Sequence, residues 1–348
     1  MAGIGKASEM YQTIHRQPAD LRRVLGEGWD DARQAAQRIT SARRVYVVGI
    51  GTSYHAALMG AWVLGYVGVD ARAVESFNFA CYPDCYPLSA DDAVIVLSHT
   101  GAKQYSLAAL QIGARAGATV LSIGGMEAEH PGSEAILRTT EKETSAAYTS
   151  SHLAAMTILA QIAVEAGGGD QTALKTALTA LPDQIQAILA DEDAVEPLAS
   201  FALARHTYVV GGGMNEVAAL EAVIKGREAA YVRIDGMGLE QFIHGPMICL
   251  QPDDVVVLVN VDGGSRARNS EAAALFAELG ATVWLVGDPL PDLPVIEVPR
   301  TLEVISPILT TVPFQLLAYH MATLQQLDPD TFRTQEPRFL EAIQRIAL

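Results

Sequence analysis

The sequence predicts an α/β protein of two tandem, doubly wound domains, each a mainly parallel sheet flanked by helices. Two observations carry this. The first is an internal repeat: Tyr46-Val-Val-Gly-Ile-Gly returns 162 residues later as Tyr208-Val-Val-Gly-Gly-Gly. Asp91-Asp-Ala-Val-Ile-Val-Leu-Ser98 returns at the same offset as Asp253-Asp-Val-Val-Val-Leu-Val-Asn260, and Gly117-Ala-Thr-Val120 returns as Gly280-Ala-Thr-Val283. Two long copies mean a duplicated domain and not a solenoid. The second is the character of the runs. They are apolar throughout and do not alternate with polar residues, as expected of parallel strands covered by helices on both faces.

In chain order, a helical leader spans residues 1–40, with one helix over about 7–38. The first domain, 41–168, reads as strand 45–49, helix 53–66, strand 93–97, helix 104–116, strand 119–123 and helix 151–166. Gly167-Gly-Gly169 closes that last helix. An Ala- and Leu-rich helical connection over 169–205 precedes the second domain, 206–348, which includes the C-terminal tail.

The 348 residues are half apolar and only 18% charged, a balance that supports packed cores and opposes disorder. With 24 Lys and Arg against 40 Asp and Glu, the net charge of −16 repels a phosphate backbone, and no segment concentrates basic residues, so a nucleic-acid partner is not expected. Cys81, Cys85 and Cys249 match no zinc pattern and are read as reduced thiols. No metal or cofactor is called for. The start lacks an apolar signal core and no run is long enough to span a membrane, so the expectation is a soluble, cytoplasmic protein with no membrane partner.

Ligands of open parallel sheets sit beyond the carboxyl ends of the strands, where helix N-termini and loop amides converge. Gly51-Thr52-Ser53 follows the first strand and Ser98-His99-Thr100-Gly101 the second. Hydroxyls and glycines there suit a phosphate cradle; the competing reading is that they are simply helix N-caps. Gly49-Ile-Gly51 is no dinucleotide fingerprint, because Tyr54 stands where the third glycine belongs.

This order of strand, Gly-Thr-Ser, strand and Ser-x-Thr-Gly resembles the sugar isomerase (SIS) domain, present as a tandem pair in the isomerase half of glucosamine-fructose-6-phosphate aminotransferase. Leu220-Glu-Ala-Val-Ile-Lys225-Gly-Arg-Glu228, His244-Gly-Pro246, Glu303-Val-Ile-Ser-Pro307 and Val312-Pro-Phe-Gln-Leu-Leu-Ala-Tyr-His320 continue the match, and Thr13-Ile-His-Arg-Gln-Pro18 resembles the helix that leads into the pair. Two parts of the synthase pattern have no counterpart: the glutamine-hydrolysing domain, and the tail lysine that forms a Schiff base, which aligns with Ala342. Lys225 is the last lysine of the sequence.

The resemblance implies a phosphorylated sugar or amino sugar as partner. Moving a proton between C1 and C2 of an opened sugar needs two acid-base groups. Glu228 resembles the family's proton shuttle and His244 its ring-opening histidine, with Lys225 placed to offset enediolate charge. On spacing alone, Glu221, Lys225 and Glu228 also fit an exposed ion-pair ladder. For the phosphate, the resemblance points to Gly51, Thr52, Ser53, Ser98, His99, Thr100 and Lys103, where His99 replaces a glutamine and Lys103 a threonine. Glu143-Thr-Ser-Ala-Ala-Tyr-Thr149-Ser150-Ser151 stands in the place of the family's Glu-x-x-x-Ala-Ser-Thr-Lys, which offers Thr149 and Ser150 to the sugar.

The implied activity is an aldose/ketose isomerase or an amino-sugar-phosphate deaminase. A deglycase of sugar-phosphate amine adducts and a non-catalytic phosphosugar sensor are the alternatives. The resemblance further implies a homodimer with shared active sites, in which His244 serves the neighbouring chain.

Overall fold

The structure is a computed structural model and describes residues 7–345. Its elements, in order, are α1 (Glu9–Glu27), α2 (Trp29–Ile39), β1 (Arg44–Gly49), α3 (Thr52–Tyr66), β2 (Ala71–Glu75), α4 (Ser76–Cys81), β3 (Asp92–Leu97), α5 (Gln104–Ala116), β4 (Thr119–Gly124), β5 (Ala135–Arg138) and α6 (Ser150–Ala166). They continue with α7 (Thr172–Ala190), α8 (Glu196–Ala204), β6 (Thr207–Gly211), α9 (Glu216–Ala230), β7 (Ile234–Gly238), α10 (Leu239–Ile243), β8 (Val255–Asn260), α11 (Arg266–Glu278), β9 (Thr282–Gly287), β10 (Val295–Glu297), α12 (Pro307–Leu324) and α13 (Pro337–Gln344).

Each repeat makes one five-stranded sheet, in the order β2-β1-β3-β4-β5 and β7-β6-β8-β9-β10. Every recorded strand pair is parallel. The strand order of the second sheet reproduces that of the first, as the sequence repeat requires. The middle strands β3 and β8 are buried at every residue, which is why their sequences run apolar without alternation. Tyr46, Val48, Val94, Val96, Leu110 and Val120 form a core between the first sheet and α5. Tyr208, Val210, Val256, Leu258, Phe276 and Leu285 form the equivalent core in the second repeat.

The chain divides into two compact units. One holds the first sheet, with residues 16–144, 148–180 and 333–345; the other holds the second sheet, with residues 7–15, 145–147 and 181–332. Residues 333–345 thus group with the first sheet, whereas the sequence reading assigned the tail to the second domain. The leader is likewise two helices, not one. They meet at Gly28, where a Cβ would approach the Val24 carbonyl oxygen to 2.7 Å. The connection also breaks, into α7, a 3₁₀ turn at Glu192–Val195 and α8. The edge strands β2 and β5, the short α4 and their counterparts β7, β10 and α10 escape the apolar pattern because they are short and only partly buried.

In the first unit, α3 packs on α6. A Cβ on Gly60 would lie 2.7 Å from Leu159 Cδ1, so the two helices pack closely at this glycine. Helix α6 is buried from Ser150 through Val164. In the second unit, α12 is buried on all sides and packs along α9, the helix that carries Lys225 and Glu228.

Candidate active site

In a doubly wound sheet the ligand crevice opens where the strand order reverses. In the first sheet that point lies between β1 and β3, which pair in parallel through Val48 and Val96, so the loops that follow these strands are neighbours. The β1 loop is Gly51-Thr52-Ser53. Gly51 takes φ 58°, and a Cβ on Gly49 would come 2.4 Å from the Ser53 carbonyl oxygen, so α3 starts directly over the strand end. Thr52 and Ser53 lie half-buried in its first turn.

The capping alternative does not describe these loops, because neither α3 nor α5 has a side-chain cap. After β3, the Ser98 side chain is buried and its Oγ has no hydrogen-bond partner. Thr100 Oγ1 accepts only a long bond, 3.4 Å, from the Ala102 amide. Lys103 is exposed at the N-cap of α5, and Gly101 takes φ 66°. The orphaned Ser98 hydroxyl, the weakly held Thr100 hydroxyl, a glycine turn and a cation therefore gather at the switch point, next to a helix N-terminus that favours anions.

His99 is placed differently from the sequence reading, which had it donate to phosphate. Nε2 accepts the Glu143 amide at 3.4 Å, Nδ1 lies 3.3 Å from Thr139 Oγ1, and the ring stands edge-on to Tyr148. With one nitrogen accepting and the other facing Thr139, the imidazole is a brace and has no N–H left for an anion. Burial pushes its pKa below the usual histidine value, and Arg16 and Lys142 add to that, against Glu143.

Thr149 and Ser150 are also corrected. Both are fully buried. The Glu143 carboxylate accepts the backbone N–H groups of Thr149, Ser150 and Ser151 at 2.9, 3.3 and 2.8 Å, and Thr149 Oγ1 at 3.2 Å. Ser150 Oγ donates to Asp20 at 2.6 Å, and Asp20 also takes Arg16 Nε at 2.9 Å. These hydroxyls hold the start of α6 in place instead of facing a sugar. The sequence reading passed over Glu143 as a cap, although an acid six residues before Thr-Ser-Ser at a helix start was the available signal.

In the other unit, Glu221, Lys225 and Glu228 follow one face of α9. Lys225 Nζ donates to Glu228 Oε2 at 2.7 Å and lies 3.6 Å from Glu221 Oε1. Glu221 and Lys225 have no side-chain exposure, whereas Glu228 keeps 29%. This is not an exposed ladder. A buried cation holds one carboxylate beneath the surface and presents a second at it. His244 stands at the end of α10, 74% exposed, with Nε2 3.2 Å from Glu240. Glu240 in turn is held by Arg268, which keeps its carboxyl below the usual range. The structure therefore joins Lys225 to Glu228 and gives His244 a separate, open setting.

The second repeat lacks the hydroxyl cradle. Its loop after β8 reads Asn260-Val-Asp-Gly263-Gly264-Ser265, and the Gly264 amide donates to Glu303 Oε2 at 2.8 Å. A Cβ on Gly263 would fall 2.1 Å from Glu303 Cδ, so the glycine makes room for that carboxylate. An internal anion occupies this loop, whereas residues 98–103 of its counterpart in the first repeat include no acidic residue. Among the described residues no cluster of His, Cys, Asp and Glu suits a metal ion, and no helix is long and apolar enough to cross a membrane.

Residues 38–165 match the SIS domain family. The chain is 27% identical over 341 residues to a glutamine–fructose-6-phosphate aminotransferase (isomerizing) of Thermococcus kodakarensis, covering 92% of this chain and 56% of that protein. It spans about half the length of the curated relatives it matches. Among solved structures, the C-terminal domain of glucosamine-fructose-6-phosphate aminotransferase from Francisella tularensis superposes with a TM-score of 0.85 at 18% identity, over 94% of this chain and 99% of that one. Tagatose-6-phosphate ketose/aldose isomerase from Escherichia coli gives 0.79 at 21%, over 95% and 96%. Glucosamine-6-phosphate deaminase from Thermotoga maritima gives 0.75 at 20%, over 93% and 97%. Residues 38–165 therefore match the SIS domain family, within a chain whose fold resembles that of the C-terminal domain of glucosamine-fructose-6-phosphate aminotransferase over nearly its whole length.

Proposed function

We propose that this protein is an enzyme of phosphorylated hexoses or hexosamines that opens the sugar ring and moves a proton between C1 and C2. The observation that carries this reading is the Lys225–Glu228 contact: a carboxylate at the surface, held by a buried ammonium that is itself backed by Glu221. A surface carboxylate with a fixed cationic neighbour is suited to take a carbon-bound proton and return it one carbon away, while the ammonium offsets the enediolate charge.

In this mechanism Ser98, Thr100 and Lys103 hold the phosphate, with Gly51, Thr52 and Ser53 beside them. His244 exchanges the ring-oxygen proton as the C1–O5 bond opens. Glu228 then takes the proton from C2 of the aldose, and the same proton returns to C1 to give the ketose. For an amino sugar the product of that transfer is the C2 imine, which water hydrolyses to the ketone with release of ammonia. Both outcomes have counterparts among the structural neighbours, a ketose/aldose isomerase and a deaminase. The exposure of His244 supports a homodimer in which it serves the neighbouring chain's site.

The test is a thermal-shift screen against hexose and hexosamine 6-phosphates, followed by ketose and ammonia assays on each hit. The expected result is stabilisation by a phosphorylated sugar but not by the same sugar without phosphate, with turnover of that ligand. Affinity without turnover makes the protein a sensor. No response to any phosphosugar overturns the reading.

A further inference from the structure

We propose that His130 is a positioning residue for the anion cradle: its neutral imidazole ties the Ser98 carbonyl back, and this keeps the hydroxyls and amides of residues 98–101 facing a ligand. The inference rests on the reading of that loop as a phosphate site.

A loop closing on a phosphate must keep its own carbonyl oxygens, which repel an anion, pointed elsewhere. Here the segment after β4 does that. His130 Nε2 lies 2.9 Å from the Ser98 carbonyl oxygen, and the Gly125 amide donates to the His99 carbonyl at 2.9 Å. The brace is itself secured, because Arg138 Nη1 donates to the Gly125 and Ala128 carbonyls at 2.8 and 2.7 Å. Contact with the cradle is close: a Cβ on Gly101 would lie 2.5 Å from the Glu129 carbonyl oxygen and 3.1 Å from His130 Cδ2. A Cβ on Gly124 would strike the imidazole at 2.5 Å.

His130 is 4% exposed and its Nδ1 is buried without a partner. That arrangement specifies the tautomer. Nε2 faces a carbonyl oxygen, which only accepts, so the proton sits on Nε2; a second proton on Nδ1 would be a buried donor with nothing to receive it. The charged group facing the ring is Arg138 on β5, while the β3 side offers only the Ser98 carbonyl. Burial lowers the imidazole's pKa from the usual histidine value, against the Ser98 hydrogen bond, and Arg138 adds to the lowering.

The test uses the full chain with His130→Gln, which keeps a donor, and His130→Leu, which does not. Sulfate and glucosamine 6-phosphate are the probes, and sulfate does not titrate over the working range. His130→Leu is expected to weaken binding of both by about 10-fold, the scale of one lost hydrogen bond, with kcat at saturation moved less than about twofold. His130→Gln recovers most of the affinity. His130→Phe, which keeps a ring of similar shape but has no donor, is expected to behave as His130→Leu. If His130→Leu does not fold, the comparison of His130→Phe with His130→Gln decides. Equal affinity in wild type and all folded variants removes His130 from the site while leaving the phosphosugar reading intact. A wild type that binds neither probe overturns both.

Discussion

Replacing Lys225 by Met tests whether the α9 cluster is a buried ion network. The substitution keeps most of the side-chain volume and removes only the charge. Glu221, which has no exposure, then loses an ammonium 3.6 Å away, and Glu228 loses its 2.7 Å partner. Breaking a buried pair on one side costs roughly 3–5 kcal/mol, because the remaining charge is desolvated without compensation. At about 2–4 °C per kcal/mol for a unit of this size, the melting temperature should fall by roughly 6–20 °C. The control is Lys225→Met combined with Glu221→Leu, which removes both buried charges and should recover more than half of the loss. Calorimetry on the three proteins reads the result. A single variant within about 2 °C of wild type, or a double variant no more stable than the single, would refute a buried network.

The remaining expectations concern the proposed chemistry and the histidines. Glu228→Gln should abolish turnover while phosphosugar affinity stays within about threefold, since the amide keeps the shape but cannot accept the carbon-bound proton; unchanged kcat removes Glu228 from the mechanism. Lys103→Ala should weaken the phosphosugar and leave the unphosphorylated sugar unaffected, and an equal loss for both shows that Lys103 does not read the phosphate. Mixing inactive Glu228→Gln with inactive His244→Ala should restore activity if sites are shared between chains, and silence after demonstrated subunit exchange rules sharing out. His99, His130 and His320 are each held below the usual histidine pKa, chiefly by burial. The unfolded chain therefore binds more protons than the folded one below about pH 6.5, so stability is present above that value and lost on acidification. Thermal midpoints that stay flat from pH 7 to 5 would contradict this.

The parts of the fold legible in the sequence were the buried inner strands and the helices that directly follow them. Strands β1, β3 and β4 and helices α3 and α5 fall within a residue or so of their expected bounds, because an apolar strand between two helical layers leaves an unambiguous pattern. The break at Gly28 was not legible. A Cβ there would meet the Val24 carbonyl oxygen and Gln161, and a glycine within a helical pattern does not announce which side of it is crowded.

For the candidate site, the order of residues in the chain set the residue types at the strand ends and, through the repeat, one topology for both halves. Period and spacing are local properties, and the chain order carries them. Which polar groups are left without an internal partner is settled by folding. His99, Thr149 and Ser150 have the chemistry of ligand contacts, yet Glu143, Thr139 and Asp20 claim them, whereas Ser98 Oγ has no such claimant. Glu221 and Lys225 share a helix face whether exposed or buried, and the packing of α12 along α9 accompanies their complete burial. Glu303 enters the second loop from a segment far along the chain. Hydrogen-bond capacity is a short-range quantity shared among groups distant in sequence, so its allocation exists only once the chain has folded.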